Sequence, residues 1–131
     1  MATIFTKIVK GEIPCYKLAE DDNFLAFLDI NPLAKGHALV IPKNEVDYIF
    51  DIESPLYNDL WAFAKKVALA VKQVMPCEKI GIAVIGLEVA HAHIHLVPIN
   101  KVSDLDFSRP KLNLEAAELA QIASRISAAI K

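Results

Sequence analysis

The chain of 131 residues is poor in cysteine. Cys15 and Cys77 are its only two thiols, and they are far apart and form no Cys-x-x-Cys pair. The missing pair argues against a thiolate zinc site. Isolated thiols are typical of a reduced cytoplasmic protein, although the sequence leaves a disulfide between them open.

Long apolar runs and basic runs are also missing. No apolar stretch approaches the ~18–20 residues of a membrane span, and residues 1–14 carry lysines and a glutamate where a signal peptide needs an apolar core. The net charge is −2, and Lys7, Lys10 and Lys17 are too scattered to form a basic face. We therefore expect a cytoplasmic protein that binds neither membrane nor nucleic acid.

The apolar content, in contrast, is high. Hydrophobic residues make up 54% of the chain, against roughly 45–50% in a typical globular domain. The length fits one domain over residues 1–131, without room for a second. The excess predicts an additional buried surface, most simply a subunit interface.

The apolar patterns predict four strands in two pairs. Residues 24–30 and 37–42 are short, apolar and joined by a turn-rich connection of hairpin length. Residues 79–86 and 89–98 form a second pair around a tight turn near Gly86. Both pairs are expected to be antiparallel.

Two helices separate and follow these pairs. The first is expected to begin with Ser54 as N-cap and Pro55 at its first position, and to end at Pro76. The second is expected to begin with Asn113 as its cap. Their apolar stripes are Leu56, Leu60, Phe63, Val67, Val71 and Val74, and then Leu119, Ile122, Ile126 and Ile130. The order β-β-α-β-β-α predicts an α+β domain with an antiparallel sheet.

Three of the four histidines occupy alternate positions of one apolar stretch. Because successive side chains of a strand point to opposite faces, His91, His93 and His95 would share one face at intervals of ~6–7 Å. Ala92 and Ile94 would point into the core. A row of imidazoles is costly to bury without partners, so the pattern favours a site over packing.

Such a row has three interpretations. The imidazoles could be structural and hydrogen-bonded, or they could bind zinc with His37 as a further ligand. Alternatively, one neutral imidazole could attack phosphorus while its neighbours stabilise the developing charge. Periodicity alone does not decide between zinc and a nucleophile.

The wider sequence resembles the histidine triad (HIT) family. The family motif, His-x-His-x-His followed by two apolar residues, is matched by "HAHIHLV" at residues 91–97. Residues 4–22 resemble the family's amino-terminal segment, and residues 24–43 resemble its nucleotide-binding hairpin. The resemblance implies the HIT-like fold: an antiparallel five-stranded sheet with a long central helix and a C-terminal helix.

The resemblance also implies a set of catalytic residues. His93 would attack the α-phosphorus of a nucleotide and form a nucleotidyl-histidine intermediate. His91 would orient His93 through its backbone carbonyl, and His95 would contact a phosphate oxygen near the leaving group. His37 matches a supporting histidine, and Asp29 matches the carboxylate that accepts hydrogen bonds from the ribose.

For the nucleotide, the resemblance implies a purine partner, AMP or an AMP conjugate such as a phosphoramidate or dinucleoside polyphosphate. Ile4, Phe5, Phe27 and Ile30 match the apolar residues around the base. Water would then release AMP, without a metal or another cofactor. The family's two-fold dimers imply that this protein is a homodimer.

Two departures from the family pattern concern the leaving group and a structural metal. Leu87 and Glu88 stand where many members carry glutamine and a second polar residue. Thr3 and Thr6 stand where some bacterial members carry a zinc-binding Cys-x-x-Cys, which argues against a structural zinc. The altered turn also keeps open a second function, a non-catalytic nucleotide-binding or interaction protein of the same fold.

Overall fold

A computed structural model describes residues 2–131. Within them, five strands form one antiparallel sheet, in the spatial order first, second, third, fifth, fourth. The strands are β1 (Lys17–Glu20), β2 (Phe24–Leu28), β3 (Ala38–Pro42), β4 (Lys79–Ala83) and β5 (Ile94–Ile99). The α+β class and the five-stranded antiparallel sheet are confirmed.

Three α-helices cover the two faces of this sheet. They are α1 (Ile4–Val9), α2 (Leu56–Val74) and α3 (Ala116–Ala129). Helices α2 and α3 pack together on one face, while α1 packs on the other through Phe5. In the part of the chain that the structure describes, no helix has the length and apolar character needed to cross a bilayer.

Strand β2 shows how the sequence supports two covered faces. All five of its residues are buried, as expected for a strand with helices on both sides. Phe24, Ala26 and Leu28 belong to the core with α2 and α3, whereas Leu25 and Phe27 face α1. The continuous apolar run of β2 therefore contributes side chains to two separate apolar clusters, one on each face of the sheet.

The expected tight turn near Gly86 is wrong. β4 ends at Ala83 and β5 begins at Ile94, so residues 84–93 form a longer connection. The Ala92 N–H donates to the Val46 carbonyl at 2.6 Å, outside the sheet, so the strand pairing starts only after the second histidine of the triad. His91 and His93 consequently precede β5.

The expected helix starts are also displaced. Helix α2 begins at Leu56 with Pro55 at the N-cap; Ser54 does not cap it and instead donates its hydroxyl to the Asn58 side chain at 3.3 Å.

For α3, Glu115 and not Asn113 holds the N-cap position. The Leu112 N–H donates to the Pro32 carbonyl at 2.8 Å, which joins the segment before α3 to the connection between β2 and β3.

The two apolar stripes are largely confirmed. Their central residues are buried, but the ends of the stripes are only partly buried, and Ile130 lies just beyond α3. The buried set is Leu60, Phe63, Val67 and Val71 in α2 and Leu119, Ile122 and Ile126 in α3. Helix α1 and strand β1 were not predicted from the apolar patterns. Helix α1 is only six residues long, and strand β1 buries only Leu18.

Candidate active site

A row of side chains across three strands forms the floor of a cleft. The strand register pairs Phe27 with Leu39, and Leu39 with His95. Because these residues are directly opposite one another, their side chains emerge on the same face of the sheet. Ile94 and Leu96 point to the opposite face and enter the core with α2, as predicted.

The cleft has a volume of about 550 Å³, within the range of small-molecule sites. One part of its wall is apolar, and the other carries ionisable side chains. The apolar part includes Ile4, Phe5, Ile8, Ile13, Phe27 and Leu39. The polar part includes Asp29, Asn31, Glu88, His93, His95 and Lys111.

All four histidines of the chain are buried and lie in one continuous cluster. The ring centroids of His93 and His95 are 4.9 Å apart, and those of His37 and His95 are 5.2 Å apart. The prediction that the three triad imidazoles line one surface is wrong for His91. Its ring is fully buried behind Phe5, while His93 and His95 line the cleft.

The protonation of His93 is fixed by its backbone neighbour. Its Nδ1 lies 2.7 Å from the His91 carbonyl oxygen. A carbonyl oxygen can only accept, so Nδ1 carries the hydrogen and, in the neutral ring, Nε2 has a free lone pair. Phe5 holds the other side of the ring edge-on, with centroids 4.9 Å apart. His93 thus presents a nucleophilic nitrogen from a ring that lines the cleft.

His91 has the opposite tautomer. Its Nε2 donates to the Pro42 carbonyl at 2.8 Å, so Nδ1 is the acceptor. The Thr3 hydroxyl lies 3.0 Å from that nitrogen. Burial lowers the pKa of His91, which keeps the ring neutral.

His37 and His95 form a directed pair. The Leu33 N–H donates to His37 Nδ1 at 3.0 Å, so the neutral ring carries its hydrogen on Nε2. That nitrogen lies 3.0 Å from His95 Nδ1, which must accept. His95 therefore carries its hydrogen on Nε2, as a donor for an anionic ligand.

Burial is the main reason that both rings of this pair are neutral. It lowers the pKa of His37 to about 3, helped by nearby His95 and Lys111. It lowers the pKa of His95 to about 4, helped by His93.

Asp29 lies at the polar part of the cleft, just beyond the end of β2. One carboxylate oxygen accepts from the Asn31 N–H at 2.9 Å, and the other lies 3.6 Å from His37 Nε2. Burial raises the pKa of this carboxyl. Its unused lone pairs face a cleft where hydroxyl donors could bind.

The four apolar residues expected around a base all line the cleft. Phe5 and Phe27 pack edge-on, with centroids 5.7 Å apart, and are buried. Ile4 and Ile30 are 49% and 61% exposed, so they are not core residues but form the outer wall of the cleft.

The cleft residues that sequence reasoning missed include Phe107 and Lys111. Phe107 packs edge-on against His95, with centroids 4.7 Å apart, and Lys111 is the only lysine or arginine that lines the cleft within residues 2–131. Lys111 Nζ donates to the Phe107 carbonyl at 2.5 Å. Both residues lie in the polar segment between β5 and α3, where no periodicity could indicate them.

The two residues that depart from the family pattern lie at the mouth of the cleft. Leu87 is 89% exposed and Glu88 is also exposed, and both line the cleft. They belong to the connection between β4 and β5, which Gly86 helps to turn with a φ of +70°.

Two groups of side chains can be tested for a fit to a metal. Asp29, His37 and His95 have donor atoms within 4.8 Å of one another. However, the Leu33 N–H requires a lone pair on His37 Nδ1, which leaves the hydrogen on Nε2, the nitrogen that faces the other two residues. This tautomer cannot ligate a metal there.

The second group is the position of the missing Cys-x-x-Cys. The Thr3 and Thr6 hydroxyls lie beside His91 and are hydrogen-bonded, Thr6 to Glu45 at 2.6 Å. Hydroxyls are poor zinc ligands. Neither group fits a zinc ion.

Comparison with known proteins identifies the family. The HIT domain model matches residues 10–102. The chain is 37% identical to adenosine 5'-monophosphoramidase hnt1 of Schizosaccharomyces pombe, over 100% of both chains. It is 38% identical to a HIT-like protein of Borreliella burgdorferi, over 95% of each.

A solved structure shows the same fold. A HIT-like protein from Bartonella henselae, described as involved in cell-cycle regulation, has a TM-score of 0.83 at 30% identity and covers 97% of this chain and 95% of its own. The chain belongs to the HIT family.

Proposed function

We propose that this protein is a nucleotide hydrolase or transferase that cleaves AMP conjugates at the α-phosphate through a nucleotidyl-histidine intermediate. The observation that carries the proposal is the 2.7 Å bond from His93 Nδ1 to the His91 carbonyl, which in the neutral ring places the free lone pair on Nε2, in a ring that lines the cleft. The name of the fission yeast relative, an adenosine 5'-monophosphoramidase, supports the same chemistry.

The nucleotide is proposed to bind along the cleft with its base in the apolar part. Phe5, Phe27, Ile4 and Ile30 supply flat and aliphatic surface for a purine. Asp29 would accept hydrogen bonds from the ribose hydroxyls, because an ionised carboxylate is acceptor-only.

In the first step, the His93 Nε2 lone pair would attack the α-phosphorus. The bond from phosphorus to the leaving group breaks, and the leaving group departs with the electron pair and takes up a proton from the solvent. His95, whose Nε2–H is directed by His37, would donate to a phosphate oxygen near the leaving group. As positive charge develops on His93, the His91 carbonyl would stabilise it.

In the second step, water would attack the same phosphorus. The phosphorus–nitrogen bond to His93 breaks, the attacking water gives a proton to the solvent, AMP is released and the imidazole returns to its neutral form. Two easier displacements thereby replace one difficult displacement. The reaction needs no redox change and conserves atoms.

The leaving group is proposed to lie between Glu88 and Lys111 at the cleft mouth. A carboxylate beside phosphate is unfavourable unless it meets a cationic group. Glu88 therefore favours leaving groups with an amine over acyl or nucleotide leaving groups. A panel of AMP conjugates with amine, acyl and nucleotide leaving groups, tested on wild type and Glu88→Gln, would measure this preference.

The central test is a comparison of wild type with His93→Ala on an adenosine phosphoramidate. We expect AMP release by wild type and a loss on the order of a thousandfold or more in the variant. Mass spectrometry of rapidly quenched protein should show added nucleotide mass on wild type alone. Equal AMP release by both proteins, without an adduct, would contradict the proposal.

The alternative of a non-catalytic nucleotide-binding protein is less favoured, because it gives no reason for the fixed tautomers of His93 and His95. Calorimetry distinguishes the two. The alternative requires AMP binding without turnover of any conjugate in the panel.

We further propose a cytoplasmic homodimer. β4 is an edge strand with unpaired backbone groups, and Ile82 on it and Leu69 on α2 are 50% and 62% exposed. Both cysteines are free, in keeping with a reducing compartment. Sedimentation of wild type and an Ile82→Lys variant would test the dimer, since a charge at the interface should shift the protein to monomer.

A further inference from the structure

A hydrogen-bonded cluster outside the cleft lining contacts Nδ1 of His91. It joins the start of α1 to the segment after β3 through Thr3, Thr6 and Glu45. Of the described residues that line the cleft, none is one of these three. Their contact with the triad is through His91.

The direction of each hydrogen bond in the cluster follows from its neighbours. The Thr6 hydroxyl donates to Glu45 Oε1 at 2.6 Å, since a carboxylate only accepts. The Thr6 N–H donates to the Thr3 hydroxyl at 3.1 Å, and the Thr3 N–H donates to Glu45 Oε1 at 2.9 Å. The Thr3 hydroxyl hydrogen is then available for His91 Nδ1, at 3.0 Å.

These bonds connect to the nucleophile in one continuous chain. The Pro42 carbonyl, which only accepts, holds the hydrogen of His91 on Nε2 at 2.8 Å, and the Thr3 hydroxyl then donates to the free Nδ1. With both nitrogens engaged, the His91 ring is fixed in the interior. The His91 carbonyl, held with it, accepts from His93 Nδ1 at 2.7 Å.

We infer that Thr3, supported by Thr6 and Glu45, is a positioning residue: its hydroxyl holds the ring of His91 in one orientation and thereby aims the His93 imidazole. The expected effect of Thr3 on the rate rests on the proposed nucleotidyl transfer. Its expected effect on the rings of His91 and His93 does not. Side chains that fix the tautomer and orientation of a functional imidazole are known to matter for its chemistry.

The cluster also explains how the chain holds His91 without a metal. Its donors to the ring are hydroxyls, which do not suit zinc, yet they satisfy the buried nitrogen. The Glu45 carboxylate is exposed. The Thr3 N–H and the Thr6 hydroxyl donate to it and hold its pKa below the usual range.

The test uses Thr3→Val, which keeps the shape of the side chain but removes the hydroxyl, and Thr3→Ser, which retains it. Because Thr3 also caps α1, Glu45→Ala provides a second route: it releases the cluster and leaves the Thr3 cap in place. Glu12→Ala is the matched control, an exposed glutamate beyond the other end of α1 with the same change of charge.

Two readouts are expected to move together. With an adenosine phosphoramidate, Thr3→Val should lower kcat by about three- to tenfold, the scale of one neutral hydrogen bond, and leave KM within about twofold. The ¹⁵N shift of His91 Nδ1 should report loss of the hydrogen bond that this nitrogen accepts from Thr3. Glu45→Ala should show a weaker form of both changes, whereas Thr3→Ser and Glu12→Ala should match wild type.

The inference is overturned if the ¹⁵N shifts of His91 and His93 in Thr3→Val and Glu45→Ala equal those of wild type. If Thr3→Val does not fold, unchanged shifts in the exposed-site variant Glu45→Ala overturn it alone. An inactive wild type would instead contradict the proposed function, and the ring shifts would still decide the positioning role. A raised KM with unchanged kcat would also overturn it, because it would indicate a substrate contact.

Discussion

His37 and His95 share a single hydrogen between facing nitrogens 3.0 Å apart. The Leu33 N–H prevents His37 from accepting another hydrogen at Nδ1, and a hydrogen on His95 Nδ1 would face the one on His37. Protonating either ring therefore breaks a buried hydrogen bond as well as placing a charge in the interior. The pair is built to remain neutral.

This neutrality predicts a loss of stability in mild acid. In the unfolded chain both rings titrate near 6.5, but in the folded protein the pKa values are about 3 and about 4. Below 6.5 the unfolded chain binds more protons, so the free energy of unfolding falls with pH. From pH 7.5 to 5.5 we expect these two rings to lower it by about 3 kcal/mol.

Urea unfolding at several pH values would measure this, with His95→Gln as the control. Below pH 6, the free energy of unfolding of the variant should change less steeply with pH than that of wild type, by about 1.4 kcal/mol per pH unit. Asp29, whose pKa is raised by burial, stabilises the folded state at lower pH, so the series ends at pH 5.5. A flat profile for wild type would contradict the neutral pair.

Asp29 is predicted to select ribose. Because hydrogen bonds to a charged group are strong, wild type should prefer a ribonucleotide conjugate over its 2',3'-dideoxy analogue by about 10- to 100-fold in kcat/KM. Asp29→Asn retains the acceptor for the Asn31 N–H but loses the charge, so this preference should shrink. Steady-state kinetics with both conjugates on both proteins would measure it; an undiminished preference would exclude the role.

Lys111 is predicted to attract the anionic part of the substrate. Lys111→Met should lower kcat/KM for an AMP conjugate by about 10- to 100-fold at low salt, and by less at high salt because ions screen the charge. Lys111→Arg should restore part of the activity. Lys10→Met, an exposed lysine outside the cleft, should behave as wild type. Loss of activity that is independent of salt would argue for a packing role beside Phe107.

Gly36 is predicted to be far less tolerant of alanine than Gly11. Both have positive φ, +91° and +79°, so each alanine costs about 1–2 kcal/mol of backbone strain. At Gly36 the new Cβ would also lie 2.5 Å from Met75 Cγ, whereas at Gly11 it would meet nothing within 4 Å. In thermal unfolding, Gly36→Ala should be less stable than Gly11→Ala by roughly 1–3 kcal/mol. Equal losses would show that Met75 moves aside freely.

Sequence reasoning was most successful where an apolar pattern corresponds to a face that the fold must bury. The stripes from Leu60 to Val71 and from Leu119 to Ile126 were confirmed because a helix that covers a sheet must bury one face. It was weakest at the ends of elements. The bond from Ala92 to Val46 and that from Leu112 to Pro32 join segments distant in sequence, and no local pattern indicates them.

The sequence by itself determined the family, the antiparallel sheet and the identity of the imidazoles available for chemistry. Only the tertiary structure decided which nitrogen of each imidazole carries a hydrogen. Those states depend on the Leu33 N–H and on the Pro42 and His91 carbonyls. Backbone groups are the same for nearly every residue type, so their positions around a buried ring follow from the folded chain and not from the letters of its sequence.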